Sequence, residues 1–196
     1  MAKYTVLADV GKAIIDMLKD QIVPEPLTKA DAIGICDPKE RGSFIVGIHP
    51  YDIKEVKEMK MSAPVPLTNG QFRNPPMAFN LNYMISVVSK SEPATKGIDE
   101  ARIMGKIVQV FMDNPTIPDR YLSESLRLSG ARIDISMLQM ELEEKVKVWT
   151  MFSEPYKLSI FYQVGPVYLD STIVKEPGKR VTSVEIKTNN RIAGRE

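Results

Sequence analysis

One stretch of the sequence, residues 73–89, limits the possible folds more than any other. Apolar side chains stand at every second position after Pro75 and Pro76, with asparagine and serine at several of the positions between them. This alternation is the period of a β-strand with one face in a hydrophobic core, and the two prolines set its start because they cannot donate to a ladder. The sequence predicts a long central strand. Its expected core-facing side chains are Met77, Phe79, Leu81, Tyr83, Ile85 and Val87.

Three segments show the spacing of amphipathic helices: residues 4–21, 99–113 and 141–152. Prolines follow each of them, as expected where helices end. The third segment has acids in its first turn and Glu–Lys pairs four residues apart, both of which stabilise a helix. The side chains expected to face the core from this third helix are Leu142, Val146, Trp149 and Phe152.

Four further segments have the composition of strands. Residues 32–36 and 43–48 are apolar on both faces and are separated by proline, glycine and charges, which predicts a hairpin or tight connection inside the sheet. Residues 132–138 and 156–171 alternate, and Gly165-Pro166 predicts a bulge or kink in the second of these. The expected inward side chains of this long strand are Tyr156, Leu158, Ile160, Tyr162 and Val164.

Together these patterns predict a mixed α/β (α+β) domain with a central, mostly antiparallel sheet and about three helices packed on it. Its predicted extent is residues 1–171, a length sufficient for one hydrophobic core. The segment at 51–73 has a weak pattern and predicts a protruding hairpin or a long ordered loop. Within it, Met59 and Met61 are candidates for an adaptable contact surface, because methionine is flexible and polarisable. Other methionines are expected in the core: Met17, Met77, Met104, Met137 and Met151.

Residues 172–196 differ from the rest of the chain and are predicted to form a C-terminal arm. The arm has six lysines and arginines against three glutamates, and one short strand-like piece. That piece cannot build its own core, so it must add to the domain's sheet, pair with another chain or stay mobile. Its residues are candidate interface residues: Val181, Thr182, Ser183, Val184, Glu185, Ile186 and Lys187.

Charge and cysteine content exclude several classes of protein. Lysine and arginine number 26 against 25 acids, so no overall charge favours nucleic acid or an anionic membrane as a partner. The single cysteine, Cys36, forms neither an internal disulfide nor a metal-type cysteine pair. No signal peptide and no membrane-spanning run is visible, which predicts a protein made and folded in the cytosol.

Catalytic motifs are missing from the sequence. Cys36 and His49 form the only possible thiol–imidazole pair, and Cys36 lies in an apolar run expected inside a strand. There is no Gly-x-Ser-x-Gly turn, no Walker-type loop and no Gly-x-Gly-x-x-Gly run. We therefore expect no catalytic residue, no cofactor and no metal, and this favours an assembly protein.

Three runs of residues resemble one known family. The run Asn74-Pro-Pro-Met-Ala-Phe-Asn-Leu-Asn-Tyr-Met-Ile-Ser is similar to the Pro-Pro-Leu-Ala-Leu-Asp-Leu-x-Tyr-Leu strand of cap proteins from phage-tail-like contractile injection systems. The segment at 102–115, which ends in Asn-Pro, resembles that family's central helix. The run at 149–164, Trp-Thr-Met-Phe-Ser-Glu-Pro-Tyr-Lys-Leu-Ser-Ile-Phe-Tyr-Gln-Val, resembles the family's Trp and Pro-Tyr segment.

The resemblance implies a structural tail-terminator domain without enzymatic activity. Such a protein assembles as a ring, usually a hexamer, on the cell-distal end of a contractile tail, where it stops growth of the tube and contacts the sheath. The implied partners are copies of itself and the tube and sheath proteins, in a particle assembled in the cytoplasm that can be released. We expect residues 181–187 to pair with a neighbouring cap or sheath subunit by strand addition.

Two alternatives remain at this point. The first is a small cytosolic enzyme or ligand-binding domain with a pocket near His49. The second is a nucleic-acid adaptor that uses the basic arm and binds in a salt-dependent way.

Overall fold

The computed structural model describes residues 4–68, 70–130 and 132–176. It contains a five-stranded main sheet in the order β1-β2-β5-β7-β6 and a small sheet in the order β3-β4-β8. The strands are β1 Ile33–Ile35, β2 Val46–Glu55, β3 Val65–Pro66, β4 Phe72–Arg73, β5 Met77–Val87, β6 Asp134–Met137, β7 Ser159–Leu169 and β8 Val174–Lys175. The α-helices are α1 Val6–Ile22, α2 Pro93–Asp113, α3 Glu124–Leu128 and α4 Leu142–Thr150.

The predicted fold class is confirmed. The main sheet is mixed but mostly antiparallel, with β1 and β2 as its parallel pair. The predicted central strand is β5, which lies between β2 and β7, and Tyr83 stands opposite Tyr162 in the register with β7. The predicted bulge is also present: Phe79 pairs with Val167 and Leu81 with Val164, so Asn80 alone faces Gly165-Pro166.

Both faces of the main sheet carry a core, whereas the alternation of β5 predicted only one. The larger core contains side chains of α1, α2, β2 and one face of β5, including Ile14, Ile107 and Tyr83. On the opposite face, Met84 of β5 packs with Trp149 and Phe161 in a second core. The alternation of β5 did not reveal this second core, because Met84 lies between Tyr83 and Ile85 and was assigned to the face without a core. The register shift at Asn80 also changes the start of β5, where Met77 is 45% exposed and Ala78 is buried instead.

The predicted hairpin of residues 32–36 and 43–48 is wrong. Strands β1 and β2 are parallel, and β1 lies at the edge of the sheet rather than inside it. In the connection between them the Phe44 ring packs directly on Gly34 of β1, where an added Cβ would lie 2.4 Å from the ring. Arg41 then fixes this connection: its Nη1 donates to the carbonyl oxygens of Ile45 and Ser86, each at 3.0 Å. Strands β1 and β2 are therefore connected by a loop that the half-buried Arg41 guanidinium holds in place, and not by a hairpin turn.

Helix α1 follows the prediction, but the other helices differ from it. Helix α2 begins at Pro93, six residues before the predicted start, since proline fits the first turn of a helix. Helix α3 was not predicted, because five residues are too short to show a helical period. Helix α4 buries Val148 and Trp149, whereas Leu142 and Val146 are exposed, contrary to expectation.

The long strand β7 begins at Ser159, so the expected inward positions before it are wrong. Tyr156 and Leu158 lie outside the strand and are 38% and 55% exposed. Of the methionines expected in the core, Met17 and Met104 are buried. Three are exposed: Met77, Met137 and Met151.

The weakly patterned segment at residues 51–73 contains the end of a strand, a short 3-10 helix and a pair of short antiparallel strands. Strand β2 continues to Glu55, a short 3-10 helix follows at Lys57–Met59, and β3 and β4 then form an antiparallel pair. Strand β8, from the predicted arm, pairs with β4 and completes the small sheet. Residues 181–187 lie outside the described residues, so their pairing stays a prediction, as does the domain boundary after residue 171.

Candidate functional site

Met59 and Met61 lie on the wall of a groove at the end of the main sheet where β5 begins and β7 ends. The groove has a volume of about 700 Å³. Its walls come from the short helix at Lys57–Met59, from β4, from the loop between α3 and β6, and from the last part of β7. We call it the rim groove. Its lining also includes Arg73, Leu128, Arg132, Asp134, Tyr168 and Asp170.

The two methionines present adaptable surface to the solvent. Met59 is 43% exposed and Met61 is 49% exposed. The hydroxyl of Tyr168 donates to Sδ of Met59 at 3.7 Å, which places an aromatic ring beside the thioether. Flexible thioethers next to an aromatic ring suit a surface that must adjust to a partner. The structure thus joins the predicted methionines to Tyr168, which alternation along β7 did not single out.

An ion pair is part of the lining of the rim groove. Nη2 of Arg73 in β4 lies 3.6 Å from Oδ1 of Asp170, the residue after β7. Both side chains are mostly buried, with exposures of 12% and 18%. The pair therefore ties the small sheet to the end of the main sheet. Neither residue was predicted as functional, because they are 97 positions apart in the sequence.

A second polar cluster also lines the rim groove. Asp134 accepts hydrogen bonds from the Thr116 hydroxyl at 2.7 Å and from Nε of Arg132 at 2.8 Å. These hydrogen bonds, more than the positive charge, hold the pKa of Asp134 below its ordinary value. With two arginines and two aspartates among its charged lining residues, the rim groove has balanced charge beside its apolar side chains.

A smaller hollow of about 390 Å³ adjoins the rim groove. Met61, Pro76 and Asp170 line both of them. The hollow also borders residues 74–77 and 169–171, so the Asn-Pro-Pro run before β5 forms part of this surface. One of the three runs that carried the resemblance in the sequence therefore lies next to Met61.

His49 and Cys36 do not form a catalytic pair. Nδ1 of His49 lies 3.1 Å from the backbone carbonyl oxygen of Cys36, and its ring stands edge-to-face against Phe152 at a centroid distance of 4.7 Å. The pKa of the Cys36 thiol is raised, mainly by burial, which disfavours the nucleophilic thiolate. His49 lines neither the rim groove nor the adjoining hollow. The contacts of both residues are those of structural side chains.

Residues 4–68, 70–130 and 132–176 contain no group of three or more His, Cys, Asp or Glu side chains that could hold a metal ion. Among the helices in these ranges, none is both long enough and apolar enough to cross a membrane.

The amino-acid sequence matches one known family over most of its length. Residues 9–183 match the family described as the Pvc16 N-terminal domain. The chain belongs to the Pvc16 N-terminal domain family. The match includes every element of the main sheet and all four α-helices except the first turn of α1. No curated protein matches this chain.

Two solved structures share the fold of this Pvc16 N-terminal domain. The first is the sheath/tube terminator of an extracellular contractile injection system, PVC, in the extended state: TM-score 0.65, 20% identity, 96% of this chain covered. The second is the tube-terminating cap of the anti-feeding prophage: TM-score 0.60, 17% identity, 92% of this chain covered. The chain spans 66% and 61% of the length of these two proteins. At such identities the comparison establishes the fold.

Proposed function

We propose that this Pvc16 N-terminal domain chain is the cap of a contractile, phage-tail-like injection particle. It forms a ring, a hexamer, on the end of the inner tube and contacts the last ring of sheath, and it performs no catalysis. The observation that carries the proposal is a fold shared over 96% of the chain with a sheath/tube terminator, within the same family of domains.

The proposed activity is geometric. An exposed ring of tube or sheath is a template for another identical ring, and a cap occupies that template without offering a new one. The rim groove supports this role, because it presents Met59, Met61 and Tyr168 in a charge-balanced setting. Adaptable apolar side chains in a polar frame are typical of contact surfaces between proteins.

The C-terminal arm supplies the second contact in this proposal. Along residues 183–187, Val184 and Ile186 alternate with Ser183, Glu185 and Lys187, which is the pattern of a half-buried strand. We expect this strand to add to a neighbouring cap or sheath subunit. A chain cut after Ser171 should leave a folded domain that terminates tails poorly. Normal tail length and normal sheath attachment with the cut chain would contradict the role of the arm.

Electron microscopy of assembled particles tests the proposal. Particles assembled in the cytoplasm without the chain should have tubes of heterogeneous length and open ends. Particles released from cells in which the chain is restored should have tubes of uniform length. A density of six-fold symmetry at one end should disappear with the chain. Identical particle lengths and identical ends in the two preparations would refute the proposal. The chemistry around His49 gives no support to the enzyme alternative, since its ring packs on Phe152.

A further inference from the structure

One end of the main sheet, strand β1, has an open backbone edge. Cys36 N–H donates to the Ile48 carbonyl at 3.1 Å and Ile45 N–H donates to the Ala32 carbonyl at 2.8 Å. Because backbone groups alternate along a strand, residues 32, 34 and 36 face β2 and Ile35 faces away from it. Within the part of the chain that the structure describes, no backbone group bonds Ile35 on that side. Ile35 is 42% exposed.

The other end of the sheet, strand β6, is open at one residue. Leu138 N–H donates to the Phe161 carbonyl at 2.8 Å, so the even-numbered residues of β6 face β7. The odd-numbered ones face outward, and a neighbouring loop covers the first two: Ile117 N–H bonds Ile133 and Ile135 N–H bonds Pro115, at 2.9 and 2.7 Å. Met137 is the next outward residue. It has no backbone partner there among the described residues, and it is 49% exposed.

The strand directions make these two edges complementary. Strand β1 is parallel to β2, and each following step across β5, β7 and β6 is antiparallel, so β6 runs opposite to β1. Suppose that copies of the sheet stand side by side around an axis that follows the strands. Strand β6 of one copy then meets β1 of the next in the antiparallel sense. Two outward-facing residues in such a pair exchange two N–H···O bonds.

We propose that the main sheets of neighbouring copies join edge to edge, with Ile35 of one copy opposite Met137 of the next. This inference rests on the ring of the proposed function and names the contact that builds it. Each copy uses two different edges, so the contact is head-to-tail and closes into a ring when the rotation fits. Leu142 and Val146 of α4 add apolar surface to the contact: α4 begins five residues after Met137, and these side chains are 61% and 40% exposed.

Disulfide trapping tests the contact directly. Cys36 is the only cysteine, so Ile35→Cys and Met137→Cys in a Cys36→Ser background give one candidate pair between copies. Opposite residues in a hydrogen-bonded antiparallel pair are about 5.5 Å apart at Cα, which suits a disulfide. Mild oxidation of the purified chain and of assembled particles should give a ladder of covalent multimers that ends at the ring. The matched control is Ile53→Cys with Met137→Cys, because Ile53 is 52% exposed but lies in an inner strand. This control should stay monomeric under denaturing, non-reducing conditions.

Proline substitution supplies a second, independent measurement. Met137→Pro removes an N–H that points away from β7, so the domain should keep its circular dichroism spectrum while the rings dissociate. Ser136→Pro removes an N–H that faces β7 and should instead lower the unfolding temperature. Deletion of residues 177–196, which keeps β8 in the small sheet, should leave the ring contact intact.

Three results would overturn the inference. Rings or caps that form without any Ile35–Met137 cross-link exclude this contact, and so do rings that persist in a folded Met137→Pro variant. Rings that disappear only on deletion of residues 177–196 would show that the arm, and not the edges of the main sheet, makes the contact between copies. In each case tail termination by the unaltered chain would leave the proposed function standing, whereas a chain that never caps tubes would refute that function itself.

Discussion

Nε1 of Trp149 donates a 3.0 Å hydrogen bond to the hydroxyl oxygen of Ser159, and both residues are buried. The bond joins α4 to the first residue of β7, on the sheet face whose core the alternation of β5 did not predict. A buried indole N–H needs such an acceptor, because its hydration is lost on folding.

Ser159→Ala should destabilise the protein by about 1–3 kcal/mol, because it leaves the Trp149 N–H buried without an acceptor. Urea unfolding followed by tryptophan fluorescence measures this change, since Trp149 is the only tryptophan. Thr150→Ala is the matched control: its hydroxyl also bonds, to the Val146 carbonyl at 2.9 Å, but at an exposed position. We expect the control to change stability by less than about 0.5 kcal/mol. Equal losses in the two variants would contradict the prediction.

Asp170→Asn should weaken the link between the small sheet and the main sheet. It leaves the mostly buried Arg73 guanidinium beside a neutral amide, and we expect a loss of about 2 kcal/mol. Thermal unfolding measures this loss. Lys54→Gln serves as control, because it removes the exposed pair with Asp52, whose side chains are 66% and 38% exposed. The control should cost less than about 1 kcal/mol. A loss no larger than that of the control would show that burial adds nothing to the Arg73–Asp170 pair.

Thr116→Val should raise the pKa of Asp134 toward its ordinary value of 3.8, because the largest cause of the lowered pKa is the hydrogen bond from the Thr116 hydroxyl. In the unaltered protein the pKa of Asp134 is lower in the folded state than in the unfolded state. The resulting stability is present above about pH 4 and is lost as the pH falls through the lower, folded-state pKa. NMR titration of the Asp134 carboxyl group measures the change directly. Thr95→Val, whose hydroxyl bonds the Glu92 carbonyl and no carboxylate, should leave the titration unchanged. An unshifted Asp134 pKa in Thr116→Val would show that the hydrogen bond has no such effect.

Met59→Gln combined with Met61→Gln should impair capping without affecting the fold. Both side chains are about half exposed and lie on the rim groove, so their loss removes contact surface rather than core. We expect at least about tenfold weaker binding to tube ends, since burying one such side chain contributes about 1.5–3 kcal/mol. Particle length by electron microscopy and binding to purified tubes measure the effect. Met112→Gln, at a position 70% exposed on α2, should cap normally. Normal capping by the double variant would remove the rim groove from the proposed contact surface.

The rim groove illustrates how far a sequence leads to a site. Met59 and Met61 were predicted as contact residues because flexible apolar side chains stood in a segment without a clear pattern. Tyr168, Arg73 and Asp170 were not predicted as contact residues. Nothing in the sequence around them distinguishes them from ordinary residues in or beside a strand. They become part of one surface only when β4, β5 and β7 meet at the same end of the main sheet.

Local patterns were sufficient for the order of the three longer helices and the strands of the main sheet, and for the bulge at Gly165-Pro166, because hydrophobic periods and glycine–proline pairs act within a few residues. Tertiary structure alone decided that β1 runs parallel at an edge, that α4 builds a core on the second face of the sheet, and that the rim groove exists. Each of these depends on which distant segment covers a given face or edge. A residue's burial and its partners are set by that coverage, which the hydrophobic period of a single segment does not specify.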